Sequence, residues 1–241
     1  MKKSPINFTL DRPQASDRLQ SAWNAARNAA AAKAAATNEL LLYDVIGLDF
    51  WTGGGITPGM VNDWLEKLPA DETEIVVRIN SPGGSVFDGV AIYNALVNSG
   101  KRVVVKIDAL AASIASIIAM AGDEISIAGN GQIMIHKAWS WAVGNADDFL
   151  KEAAALESID GALVATYVAR TGQSAEAITK MMGEETWLNA EAAKEKGFVE
   201  TIQPLKAAPE KQDDPQKALA LQKFSRQKLA LMQMQAAVAA A

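Results

Sequence analysis

The segment 74–108, EIVVRINSPGGSVFDGVAIYNALVNSGKRVVVKID, decides the fold because it combines a strand, a tight turn, a helix and a second strand. Residues 74–80 and 102–108 are rich in β-branched side chains, which favour strands. Residues 86–99 show the apolar spacing of an amphipathic helix, and Gly100 is placed to end that helix. A helix between two apolar strands is typical of a parallel strand pair.

Strand and helix signals alternate on both sides of this segment. The predicted elements are a strand at 41–49, a helix at 57–69, a buried helix at 111–121, strands at 124–128 and 132–136, a long helix at 147–170, a short helix after Gly172 and a last strand at 198–202. Near-continuous apolar strands between helices are typical of a sheet covered on both faces. The sequence therefore predicts an α/β fold with a largely parallel sheet.

Composition divides the chain into a body and two arms. The body, residues 40–202, carries 22 acidic against 11 basic side chains, which argues against a nucleic-acid partner. Residues 1–39 are predicted as an Ala-rich helical arm, 203–216 as a Pro-rich linker and 217–241 as a helix-prone arm. Both arms carry a small excess of basic residues. Such arms are either solvated tails or segments that contact an acidic partner.

Residue counts exclude several kinds of chemistry. The 241 residues contain no Cys and one His, His136. Cys nucleophiles, iron–sulfur centres, Cys-based zinc sites and multi-His metal sites within one chain are therefore excluded, and no cofactor or metal is predicted. No signal peptide and no apolar run of spanning length is visible, which predicts a cytoplasmic protein without a membrane partner.

Two segments follow strands and carry groups suited to catalysis. The SPGGS turn at 81–85 can expose backbone N–H groups to an anion, although a Gly-Gly pair also serves simply as a tight turn. Ser113 lies where a strand meets a helix, so it is either a nucleophile or a helix cap. Ser116, one turn later, is interpreted as a small packing residue.

His136 ends an apolar strand and is either a structural residue or a general base. A base of this kind needs an acceptor that orients its ring, and Glu184 and Glu185 are candidates that local sequence does not separate. An anion-binding turn, a serine, a histidine and an acid in one α/β body are together the groups required for acyl transfer.

With these residues in place, the chain resembles a known family over about residues 40–202. It is similar to the ClpP-type serine peptidases of the crotonase-like fold, and most similar to the ClpP-like head maturation (prohead) proteases of tailed phages. The segments that carry the resemblance are RINSPGGSVFDGVAIYNAL, DALAASIASIIAMAGDEI, IMIHKAWSWAVGNADDF, YVARTGQSAEAI and EETWLNAEAAKEKGFVE. The resemblance implies a largely parallel sheet with repeated β-β-α units and a protruding handle helix.

The resemblance also implies roles for individual residues. Ser113 corresponds to the nucleophile, His136 to the base and Glu185 to the acid, where ClpP has Asp; Glu184 is the alternative. Backbone N–H groups of Gly84 and Ile114 correspond to the oxyanion hole. The residues expected to bind substrate are Pro82, Gly83, Gly84, Ser85 and Val86.

The function implied by the resemblance is a serine endopeptidase that processes capsid or scaffold proteins during phage head maturation. Its expected partners are a protein substrate and further copies of itself, arranged as a ring or another homo-oligomer. The alternatives are a Clp-type proteolytic subunit fed by an AAA+ unfoldase, a crotonase-type acyl-CoA enzyme, and a catalytically idle scaffold protein.

Overall fold

The computed structural model describes residues 38–48 and 54–205. Nearly all of the predicted arms and of the predicted linker lies outside these residues. The strands are β1 (Glu39–Leu42), β2 (Glu74–Ser81), β3 (Arg102–Ala112), β4 (Glu124–Ala128), β5 (Gln132–Ile135), β6 (Thr186–Asn189) and β7 (Thr201–Gln203). The helices are α1 (Pro58–Glu66), α2 (Val86–Val97), α3 (Ile114–Ala119), α4 (Ala146–Thr171), α5 (Ala175–Gly183) and α6 (Ala190–Glu195).

The strands form one sheet in the order β1-β2-β3-β4-β7, and every neighbouring pair in that row is parallel. β3 is long enough to pair twice, with β4 along Val104–Ile107 and with β5 along Leu110–Ala112. β6 pairs antiparallel with β5. The predicted α/β class with a largely parallel sheet is confirmed.

One face of the sheet forms the core. Alternate residues of the three central strands point to this face and are buried: Ile75, Val77 and Ile79, then Val103, Val105 and Ile107, then Ile125 and Ile127. Burying one such side chain contributes about 1.5–3 kcal/mol. The opposite face carries the half-buried side chains of Val76, Arg78, Val104 and Lys106, so among the described residues it is less fully covered than predicted.

Three of the differences between predicted and observed boundaries follow directly from the contacts in the structure. The buried helix predicted from Ala111 begins only at Ile114, because Leu110–Ala112 continue β3 alongside β5. The last strand is Thr201–Gln203 rather than 198–202, because Phe198 donates its N–H to Ala193 O at the end of α6. The first strand is Glu39–Leu42, and Ile46 then forms isolated bridges to Ile56 and Gly84.

The long helix α4 begins and ends at strong signals. Asn145 and Asp148 form a capping box at its start, and Gly172 ends it with φ 69°. Its 26 residues span about 39 Å, yet only Leu163 and Tyr167 are buried. The first half of α4 therefore projects from the body, as a handle helix would.

No helix in residues 38–48 and 54–205 has the length and apolar character needed to cross a membrane.

Candidate active site

Ser113 lies between β3 and α3 in a backbone conformation that L-residues rarely adopt, with φ 54° and ψ −130°. Its N–H donates to Met134 O at 2.8 Å, and its carbonyl accepts the Ser116 N–H at 3.0 Å. Only Ser113 and Glu185 have a positive φ among the non-glycine residues that the structure describes. Conformations of this kind cost about 1–3 kcal/mol and concentrate at functional sites.

The structure brings His136 and Ser113 together. His136 Nε2 lies 2.7 Å from Ser113 Oγ, which is hydrogen-bond distance. The contact follows from the sheet, because β5 pairs with the last residues of β3 and places Met134 opposite Ala112. His136 comes directly after β5, and Ser113 comes directly after β3. With Nε2 unprotonated, the ring can accept the serine proton.

The Gly-Gly turn packs directly against the serine. A Cβ on Gly83, where φ is +92°, would lie 2.7 Å from Ser113 Cβ and 3.2 Å from Ile114 N. A Cβ on Gly84, where φ is +148°, would lie 2.1 Å from Ile46 O. Only glycine fits these two positions without displacing neighbours.

Two backbone donors are available beside Ser113. The turn is fixed by Ile46 N–H to Gly83 O and by Ser85 N–H to Ile46 O, both at 2.8 Å. These bonds leave the N–H groups of Gly84 and Ile114 without an acceptor among the described residues. Free N–H groups beside a nucleophile can bind an oxyanion.

Helix α2 packs against Ile114, whose N–H is one of these two donors. A Cβ on Gly89 would lie 2.2 Å from Ile114 Cγ1, so the missing side chain of Gly89 makes room for Ile114. Ile114 itself is buried. The backbone beside the nucleophile is therefore held by packing as well as by hydrogen bonds.

The structure does not bring a carboxylate to His136. Glu185 is exposed, and its Oε1 accepts a hydrogen bond from the Trp187 indole N–H at 3.4 Å. Glu184 Oε1 lies 3.9 Å from Lys180 Nζ. Within the described residues, neither glutamate hydrogen-bonds to His136, so Glu185 as the orienting acid stays a prediction.

A buried hydroxyl pair behind the nucleophile was missed by the sequence reasoning. Ser116 is not a mere packing residue, because its Oγ donates to Ser113 O at 2.5 Å and lies 2.7 Å from Tyr167 Oη. Burial raises the pKa of Tyr167, so this hydroxyl stays protonated. The spacing of Ser113 and Ser116 hints at the first contact, whereas nothing local connects Ser116 to a tyrosine 51 residues away.

Comparison with known proteins gives one consistent result. A family model described as Clp protease matches residues 53–205. The chain is 32% identical over 134 residues to an ATP-dependent Clp protease proteolytic subunit of Pleurastrum terricola, covering 55% of this chain and 68% of the relative. It is 30% identical over 159 residues to ATP-dependent Clp protease proteolytic subunit 2 of Tropheryma whipplei (strain Twist), and this match covers 63% of the chain and 88% of the relative. A third such subunit, from Chara vulgaris, is 33% identical over 136 residues, and this match covers 55% of the chain and 62% of the relative.

Proposed function

The chain belongs to the Clp protease family of serine-type peptidases. From this membership we propose that it is an endopeptidase with Ser113 as nucleophile and His136 as general base. The observation that carries the proposal is the 2.7 Å contact between His136 Nε2 and Ser113 Oγ. That contact lies beside two free backbone N–H groups, which is the arrangement that acyl transfer requires.

The proposed mechanism uses only these groups. His136 takes the hydroxyl proton while Ser113 Oγ bonds to the carbonyl carbon of the substrate, and the carbonyl oxygen becomes an oxyanion. The N–H groups of Gly84 and Ile114 stabilise this oxyanion, and one such donor typically contributes about 10²–10³ in rate. The C–N bond then breaks as His136 protonates the leaving amine. Water, deprotonated by His136, releases the acyl group and restores Ser113.

The substrate is proposed to bind in extended form along residues 82–86. Pro82, Gly84 and Ser85 are exposed next to the nucleophile, so a polypeptide can lie against this turn. The Ser85 backbone is already hydrogen-bonded to Ile46 O and to the Gly89 N–H, so pairing would use the other residues of the turn. Hydrogen bonds between two backbones give affinity with little demand on side chains, as in strand addition.

We also propose that the protein assembles with copies of itself through the start of α4. Large apolar side chains are exposed there: Trp139 (77%), Trp141 (82%), Val143 (77%), Phe149 (53%) and Leu150 (69%). Exposed apolar clusters of this kind mark interaction surfaces. A homo-oligomer, with a ring as one form, would bury them.

The biological setting has two candidates. The relatives described above are named as ATP-dependent Clp protease proteolytic subunits, which favours a proteolytic subunit that works with an ATP-driven AAA+ unfoldase. Processing of phage capsid or scaffold proteins is supported only by the motif resemblance. The first candidate predicts that a folded substrate is degraded only with an unfoldase and ATP. The second predicts limited cleavage of a capsid or scaffold protein without ATP.

The experiment that tests the enzymatic proposal is labelling with a serine-directed fluorophosphonate, followed by mass spectrometry. We expect the label on Ser113 and peptide hydrolysis by the wild type, with both lost in Ser113→Ala and His136→Ala. Ser126→Ala removes another buried serine hydroxyl and should leave both unchanged. A label on Ser116, or none at all, would refute the assignment, and the latter would favour an idle scaffold protein.

A further inference from the structure

We infer that Ser116 and Tyr167 are positioning residues that hold the peptide unit carrying the Ile114 oxyanion donor. This inference rests on the proposed function, because it assigns a role to the Ile114 N–H. Neither residue contacts the reacting atoms. Each acts through the carbonyl of Ser113, which belongs to the same planar peptide unit as the Ile114 N–H.

The direction of the hydrogen bonds follows from the number of protons available. Ser116 has one hydroxyl proton, and it donates that proton to Ser113 O at 2.5 Å. Tyr167 Oη, 2.7 Å from Ser116 Oγ, must then be the donor to Ser116. The result is a directed chain from Tyr167 through Ser116 to Ser113 O, and hydrogen bonds in such chains strengthen one another.

The target of this chain is the peptide unit that joins Ser113 to Ile114. Ser113 O already accepts the Ser116 N–H at 3.0 Å, so the hydroxyl adds a second bond to the same oxygen. Two donors on one carbonyl restrict rotation of the peptide plane and so fix the direction of the Ile114 N–H. Ser113 lies outside the usual backbone regions, with φ 54°, so this restraint opposes relaxation.

Core stability alone does not explain the pair. Ser116 is 0% exposed and Tyr167 is 2% exposed, and the Tyr167 ring packs on Phe198 with centroids 5.7 Å apart. Replacing both partners of a buried hydrogen bond by apolar residues of similar shape is close to neutral for stability. Alanine at position 116 and phenylalanine at position 167 would therefore fill the core about as well. Only the two hydroxyl groups can restrain the Ser113 carbonyl.

The test is a double-mutant cycle on the full chain with Ser116→Ala, Tyr167→Phe and the two together. We expect Ser116→Ala to lower kcat about tenfold, with KM within about twofold of the wild type, because the restraint acts on transition-state binding. Tyr167→Phe should lower kcat by less, and it should have no further effect in the Ser116→Ala background. Ser126→Ala and Tyr93→Phe are matched controls for loss of a hydroxyl and should retain wild-type kcat.

Two kinetic results would overturn the inference. One is a wild-type kcat in Ser116→Ala while Ser113→Ala is inactive, which would leave the proposed function intact. The other is an equal loss from Tyr167→Phe in both backgrounds. The amide resonance of Ile114 in NMR spectra gives a readout that does not depend on turnover. It should shift in Ser116→Ala and not in Ser126→Ala, and an unchanged resonance would refute the restraint even if the chain proved inactive.

Discussion

At the residue scale, the two non-glycine residues with positive φ in the described part of the chain are both predicted site residues, Ser113 and Glu185. Each is followed by a regular element, α3 after Ser113 and β6 after Glu185. A sharp reversal before an element turns the side chain away from the direction that the element would impose. At Ser113 this conformation accompanies the contact between Oγ and His136 Nε2, whereas the Glu185 carboxylate hydrogen-bonds to the Trp187 indole instead.

The role of Glu185 leads to the first prediction. If Glu185 orients His136 through Nδ1, Glu185→Gln should lower kcat by about 10²-fold or more, because an amide can favour the wrong imidazole tautomer. Steady-state peptide hydrolysis measures this change. Glu184→Gln is the matched control and should stay near the wild type; the reverse result would make Glu184 the acid.

Sequence reasoning at this scale can anticipate a contact where the sheet imposes proximity. Ser113 and His136 follow strands that turn out to be neighbours, so a serine and a histidine 23 residues apart meet at one sheet edge. It missed Tyr167 because a contact between a helix interior and a residue 51 positions earlier leaves no local pattern. It also gave no sign that Glu185 would hydrogen-bond to Trp187, since both side chains are exposed.

At the element scale, helix α3 begins at Ile114, three residues later than the sequence predicts. The run from Ala109 to Ala112 is rich in Ala, which favours helix. Pairing with β5 outweighs that propensity and extends β3 to Ala112. The difference matters for function, because it leaves Ser113 as the single residue that turns the chain from strand to helix.

The packing of α2 against α3 gives a second prediction. Gly89→Ala should lower the free energy of unfolding by about 1–3 kcal/mol and reduce kcat, because the new methyl group displaces Ile114. Chemical denaturation and peptide hydrolysis measure the two effects. Gly161→Ala in α4 is the control. Its Cβ would meet nothing within 4 Å, so this change should raise the free energy of unfolding by about 0.5–1 kcal/mol. Equal effects of the two changes would contradict this account.

The less covered face of the sheet gives a third prediction, on pH. Asp108 accepts hydrogen bonds from Arg78 Nε at 2.7 Å and Nη2 at 2.5 Å, and also from the Tyr43 hydroxyl. Burial acts to raise the pKa of Asp108, but the hydrogen bonds from Arg78 and Tyr43 outweigh burial and hold the pKa below its usual value.

A carboxyl whose pKa is lowered by folding stabilises the protein above its unfolded-state pKa, about 3.9, and loses that effect as pH falls through the folded-state value. Asp108→Asn should therefore cost about 1 kcal/mol at pH 7, since the pair is partly exposed. The cost should shrink below about pH 4, as followed by urea unfolding. Asp71→Asn, at an exposed carboxylate, should cost little at either pH, and a cost for Asp108→Asn that does not change with pH would refute the ion-pair explanation.

At the scale of the whole molecule, the alternation of strand and helix signals along the sequence was sufficient to predict the α/β class and the largely parallel sheet. The near-continuous apolar strands also predicted burial on both faces, whereas in the described residues β2 and β3 bury one face more fully than the other. The linker and the arms stay predictions of composition, because almost all of their residues lie outside the described range.

Self-assembly gives the fourth prediction. Trp139→Ser combined with Trp141→Ser should shift the protein to a smaller species in sedimentation experiments, because the exposed indoles lose their apolar contact area. Val97→Ser removes an exposed apolar side chain at the end of α2 and is the control. An unchanged sedimentation coefficient for the double variant would remove this surface from the proposed interface.

The unusual backbone at Ser113 has a practical consequence for finding natural substrates. Its conformation is held by the Met134 carbonyl and by Ser116, not by the Ser113 hydroxyl, so Ser113→Ala should keep residues 82–86 and both N–H donors in place. Such a variant is a substrate trap: it can still engage a polypeptide but cannot release it as fragments. Polypeptides retained by the trap and absent from a Gly83→Val control, whose turn cannot close over residue 113, would identify what the living cell delivers to this site.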